Sequence, residues 1–150
     1  MRSRLVLPVF FALSMLLAGC ASGPAKTESG SKDPLYNRLG KREGITKVVI
    51  EFRETVKKDT RINRYFAGAD MPHLTQMLIE LACAVSGGPE PYTGRDMKKA
   101  HKGMMVTNAA FDALMEDLLF SMKKFKVGDE EQQAVMNAFN ATRKDIVEIK

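Results

Sequence analysis

The chain has 150 residues, 45% hydrophobic and 27% charged, enough for one well-packed core and too short for two. Its formal charge of +5 falls to +3 once Arg2 and Arg4 are set aside, because 21 basic residues then face 18 acidic ones. So weak and dispersed a surplus excludes nucleic acid as the expected partner.

In chain order, Arg2 and Arg4 precede the apolar run Leu5 to Leu17, and the small residues Ala18 and Gly19 lead into Cys20. Charge, apolar run and small residues in that order predict a bacterial secretory signal over residues 1–19. The run is shorter than the ~20 residues a spanning helix needs. Leu17-Ala18-Gly19-Cys20 resembles the lipobox of bacterial lipoproteins, which implies cleavage before Cys20 and a lipid upon it. The expected place is then the cell envelope, with Ala21 rather than Asp after Cys20 favouring the periplasmic face of the outer membrane over the inner membrane. A lipidated Cys20 leaves Cys83 as the remaining thiol, so stability must come from packing and any cofactor, without an internal disulfide. Ala21 to Pro34 is rich in Ser, Gly, Pro, Ala and Lys without aromatic residues, which predicts a flexible tether over residues 20–34. The folded domain is expected over 35–150.

No internal repeat and no sustained alternation of apolar and polar residues is visible, so the class is all-α. A short helix is expected from Leu35 to Leu39, with a turn at Gly40. Ile45, Val48, Val49, Phe52 and Val56 recur at helical spacing and predict a helix from about Gly44 to Lys58. Asp70 is a good N-cap for a helix through Val85, with Met71, Leu74, Leu78, Leu81 and Val85 as its inward stripe, stopped by Gly87-Gly88-Pro89. A turn-rich loop from Glu90 to Arg95 leads to a short helix from Asp96 to about Gly103 carrying Met97, Ala100 and His101. Thr107 or Asn108 can cap a long helix bearing Phe111, Leu114, Met115, Leu118, Leu119, Met122 and Phe125. After Gly128 a last helix is expected from Asp129, with Val135, Ala138, Phe139, Thr142 and Ile146 inward. A bundle of this size is small for its apolar content unless something fills its middle.

Several segments carry a family resemblance: Leu35-Tyr36-Asn37-Arg38-Leu39-Gly40, Tyr65-Phe66, the run from Gly87 to Gly94, and Met97-Lys98-Lys99-Ala100-His101. In this order and spacing the region from Leu35 to Val147 resembles a group I truncated haemoglobin. The resemblance implies a two-over-two helical sandwich around haem b, with His101 as the proximal iron ligand and Phe66, Leu74, Leu78, Tyr92, Met97 and Val106 against the cofactor. The residue chemistry agrees, since a haem needs an apolar slot and a nitrogen donor, and imidazole is the usual proximal donor in globins. His73, the other histidine, follows Pro72 off the Leu74 and Leu78 stripe and is expected at the surface.

On the distal side Phe52 keeps the family pattern, but the usual tyrosine after it is Arg53. The usual glutamine is Leu78, and Leu74 fills the third distal position. Bound dioxygen carries partial negative charge, and Arg53 is the one donor these positions offer. Its alternative is to run to solvent or pair with a haem propionate. Met77, three residues after Leu74, stands where some relatives place a sixth iron ligand, although a helical methionine is ordinarily packing.

Three readings follow. The chain binds a diatomic gas (O2, NO or CO), with nitric oxide dioxygenase-like turnover as an option that requires an unidentified reductase. Alternatively Met77 closes a six-coordinate His/Met site for electron transfer or redox sensing. The third is a helical interaction module without haem. A monomer is expected in each.

Overall fold

The computed structural model describes residues 33–149. The expected leader, Cys20 and the tether up to residue 32 lie outside the described residues.

Helix starts follow local capping chemistry. Helix α1 (Leu35–Arg38) leads through Gly40, in the left-handed region at φ +79°, into α2 (Lys41–Lys58). Asp70 opens α3 (Met71–Val85) by accepting from the His73 amide at 3.1 Å. Asp96 opens α4 (Met97–His101) through the Lys99 amide at 2.9 Å. Thr107 opens α5 (Asn108–Lys124) through the Ala110 amide at 3.1 Å. Each cap satisfies an N–H that a helix start leaves without a partner. Helix α6 (Asp129–Asn140) and the single turn α7 (Arg143–Ile146) complete the set, and a 3-10 turn (Asn63–Phe66) joins α2 to α3.

Among the described residues helix is the one extended regular element, and a lone bridge ties Thr107 to Ile149. Helices α2 and α3 pair, as do α5 and α6, and α2 also packs on α5, giving two helices over two. The main core gathers Phe52, Val56, Ile62, Phe111, Leu118 and Met122 from α2, the 3-10 approach and α5. A second cluster joins Ile45 and Val49 of α2 to Ile79 and Cys83 of α3. Phe111 is 2% exposed, and truncating so buried a ring to alanine costs about 3 to 5 kcal/mol.

Three sequence expectations change. Helix α2 begins three residues before Gly44, because Gly44 is a point of close approach rather than a start: a Cβ there would collide with the Leu39 carbonyl. The last helix is not continuous, since it ends at Asn140 and resumes for one turn at Arg143. There the Thr142 hydroxyl donates to the Phe139 carbonyl at 2.6 Å, while Arg143 reaches Asn108 and Asp112 and covers the Phe111 ring at 4.3 Å. Phe125, placed in the inward stripe of α5, is its C-cap and lies exposed.

Where α3 ends, Gly87 adopts φ +83° and the Gly88 amide donates to the Cys83 carbonyl at 2.8 Å, a helix stop that favours glycine. Tyr36 packs where a Gly88 Cβ would stand. The Cys83 thiol is fully buried, and burial pushes its pKa up, which leaves it inert. On α5, Asp117 is 7% exposed with one carboxylate oxygen lacking a hydrogen-bond partner. Burial, then the neighbouring Asp59 charge, pushes Asp117 up to about 6.

Candidate haem pocket

Three apolar cavities joined by shared wall residues make up the slot, one walled by α4, one by α3 and one between the helix pairs. The first contains His101, Phe66, Met104, Val106, Phe111 and Ile146 in its walls. The second is bordered by Phe52, Arg53, Phe66, Met71, Leu74 and Leu78. Phe66 borders both, so its ring stands between the histidine side and the leucine side. The third runs inward between the helix pairs, past Val48, Val49, Ala82, Leu118, Met122 and Phe139, and shares Phe52 and Leu78 with the second.

His101 closes α4 and is half-buried. Its Nδ1 lies 2.8 Å from the Met97 carbonyl oxygen. A carbonyl only accepts, so Nδ1 carries the proton and Nε2 keeps its lone pair. This arrangement fixes the tautomer and orientation of a metal-binding imidazole. One free imidazole nitrogen among apolar walls is the donor set that iron porphyrin requires, and the residues present fit that group.

The α3 stripe also finds its explanation here. The side chains buried against protein are Thr75, Ile79 and Cys83, whereas Met71, Leu74 and Leu78 border the slot and Val85 is 45% exposed. Periodicity marks an apolar face without saying whether protein or cofactor covers it.

Arg53 borders the leucine-side cavity but is drawn away from it. Its guanidinium pairs with Glu54 at 2.7 Å and donates to the Thr75 hydroxyl at 3.4 Å, which is neither free solvent exposure nor an inward donor. That hydroxyl in turn donates to the Met71 carbonyl at 2.7 Å. Met97 packs on the main core, and Val106 is buried beside His101. Tyr92 folds over its own loop, donating to the Arg95 carbonyl at 2.8 Å and covering Gly94, and it borders none of the three cavities. Neither does Met77, which is half-buried on α3. His73 is exposed, as expected.

The sequence reading missed Ile62, 1% exposed and bordering the histidine-side cavity, because it stands in a polar run. It missed Thr75 because a lone threonine between Leu74 and Gln76 carries no signal. Glu80, which holds the loop before α4 by accepting from the Thr93 amide and hydroxyl at 3.2 and 2.7 Å, also had none.

A two-over-two helical sandwich with an imidazole at an apolar slot defines a small globin. The family described as bacterial-like globin matches residues 34–148. A group 1 truncated haemoglobin of Tetrahymena pyriformis is 33% identical over 113 residues, covering 75% of this chain and 93% of the relative. One from Mycolicibacterium paratuberculosis is 31% identical, with 69% and 76% covered. The solved Fe(III) form of the Tetrahymena pyriformis protein superposes with a TM-score of 0.74 at 32% identity, covering 77% of this chain and 98% of that one. The 2/2 haemoglobin of a Synechococcus species, solved in the cyanomet state with covalently attached haem, gives 0.73 at 26% identity, with 77% and 98% covered. The chain belongs to the bacterial-like globins, as a truncated haemoglobin whose cofactor is haem.

Proposed function

We propose that this globin binds a diatomic gas (O2, NO or CO) at the cell envelope, with His101 Nε2 as the iron ligand and a lipid on Cys20 as the tether. The observation that carries the reading is the Nδ1–H bond from His101 to the Met97 carbonyl, which presents the other nitrogen from a wall of the slot. Haem bound there would be held by His101 Nε2 and would supply an iron able to take a diatomic gas as a ligand. The chain's own residues do the rest: Phe66, Leu74 and Leu78 exclude water, and the cavity past Val49 and Ala82 offers apolar space behind the shared walls Phe52 and Leu78. Such space suits a small apolar gas better than a polar substrate. Turnover of nitric oxide would need an external reductase.

The envelope location rests on the Leu17-Ala18-Gly19-Cys20 segment. Among the described residues no helix is long and apolar enough to cross a membrane; lipid on Cys20 is the proposed attachment on the strength of that segment alone.

A visible spectrum of the purified protein tests the site. A five-coordinate ferrous spectrum that shifts on carbon monoxide supports the reading, and absence of a Soret band ends it. For the tether, Cys20→Ser should release the protein from membranes or leave it unprocessed, and unchanged membrane fractionation refutes the lipid.

A further inference from the structure

The segment after α4 is held by the end of the chain. Gly103 stands at φ +81° and Met105 at φ +55°, the second being a conformation that a bulky side chain avoids. Such backbone persists only where its surroundings hold it. The Glu148 carboxylate does so: its Oε1 accepts from the Gly103 amide at 2.7 Å and its Oε2 from the Met105 amide at 2.6 Å. In return the amides of Glu148 and Ile149 donate to the Val106 carbonyl at 2.9 and 3.1 Å. Hydrogen bonds to a charged acceptor are the strong kind, and these join two segments 43 to 45 residues apart.

The clasped segment builds the histidine side of the slot. Met104 donates its amide to the His101 carbonyl at 3.0 Å, and His101, Met104, Val106 and Ile146 border one cavity. The Tyr65 hydroxyl also reaches the Met105 carbonyl, at a long 3.5 Å, a weaker hold than the two short bonds to the carboxylate. The Met105 side chain is 58% exposed, so packing does not explain its conformation, and the carboxylate does.

We propose that Glu148 is a positioning residue, which sets the height and tilt of His101 and Met104 against the haem through the Gly103 and Met105 amides. This rests on His101 being the iron ligand. With Glu148→Ala the segment relaxes, the imidazole loses its fixed approach, and haem leaves faster. Partners hydrogen-bonded directly to a metal ligand are commonly worth about 10- to 100-fold in affinity; Glu148 acts through the Gly103 and Met105 amides instead, so the expected effect is at most about the lower figure.

The test measures three properties of the holoprotein and variants: haem transfer to excess apomyoglobin, the ferrous iron–histidine stretching band, and amide exchange of Gly103 and Met105. Glu148→Ala should release haem up to about tenfold faster, shift or broaden the band, and expose both amides. Glu148→Gln, which keeps one good acceptor and loses the charge, should fall between and serves if the alanine variant does not fold. Glu130→Ala, which removes one of the two α6 carboxylates paired with Arg38 of α1, is the control for an ion pair lost away from the slot and should leave the band unmoved. An unshifted band with unchanged haem release in both Glu148 variants overturns the proposal, as does an equal shift in Glu130→Ala. A wild-type chain that takes up no haem sinks the functional reading itself, which is a different result from haem held equally well without Glu148.

Discussion

The two walls of the slot are built in different ways. The histidine wall is set by backbone: Met97 offers its carbonyl to His101, and Glu148 ties down the segment that follows. The leucine wall is set by side chains alone, and its one charged member, Arg53, is committed to Glu54 and Thr75. Ligand geometry is thus over-determined on one side. On the other, polarity toward a bound gas is nearly absent. A wall of the first kind is broken by removing one group, whereas a wall of the second kind is changed by adding one.

The largest expected effect is His101→Ala, which removes the one imidazole that borders the slot among the described residues. Haem should be lost or retained only with added imidazole, and the protein should melt lower because a cofactor bound to the folded state stabilises it by mass action. A full Soret band in this variant, without imidazole, breaks the comparison at its root.

Next comes Leu78→Gln, which supplies the leucine wall with a donor. A neutral hydrogen bond is worth about 0.5 to 1.5 kcal/mol, so dioxygen escape, followed by flash photolysis or stopped flow, should slow by about 2- to 10-fold. Carbon monoxide escape should change less, since that ligand relies less on donors. Equal slowing of both gases would point to a steric cause.

Arg53→Leu should alter dioxygen escape by less, because the guanidinium is engaged with Glu54 and the Thr75 hydroxyl rather than aimed into the cavity. An acceleration of tenfold or more would show that Arg53 swings inward when ligand is bound. Smallest of all, Met77→Leu should leave the ferrous spectrum and the carbon monoxide association rate unchanged, since Met77 borders none of the three cavities. Conversion from a low-spin to a five-coordinate spectrum would instead establish the thioether as a sixth ligand.

What could be read from the sequence was local. Asp70, Asp96 and Thr107 announce their helices because a cap bonds within three residues, whereas His101 stood out through the family resemblance that Met97-Lys98-Lys99-Ala100-His101 carries, not through its helix alone. Gly44 misleads, since a glycine reads as a boundary although here it admits the Leu39 carbonyl inside a helix. The break before Arg143 was invisible because it depends on Asn108 and Asp112, more than 30 residues away in sequence. Glu148 was hidden for the same reason. The stripe of Leu74 and Leu78 was legible as apolar, but only the fold shows that it faces the slot while Ile79 and Cys83 face α2.

The buried carboxyl of Asp117 shapes how the protein responds to acid. With its folded value raised to about 6 from 3.8, the unfolded chain releases this proton first as pH rises. Its contribution is therefore greatest below pH 3.8 and is lost as pH climbs through 6. Glu80, held down chiefly by the Thr93 hydroxyl, and Glu148, held down by the Gly103 and Met105 amides, act oppositely. Their help is present above about 4.5 and fades below it. In mildly acidic solution the two trends oppose each other, and in a melting-temperature profile against pH Asp117→Asn should remove the first and leave the second.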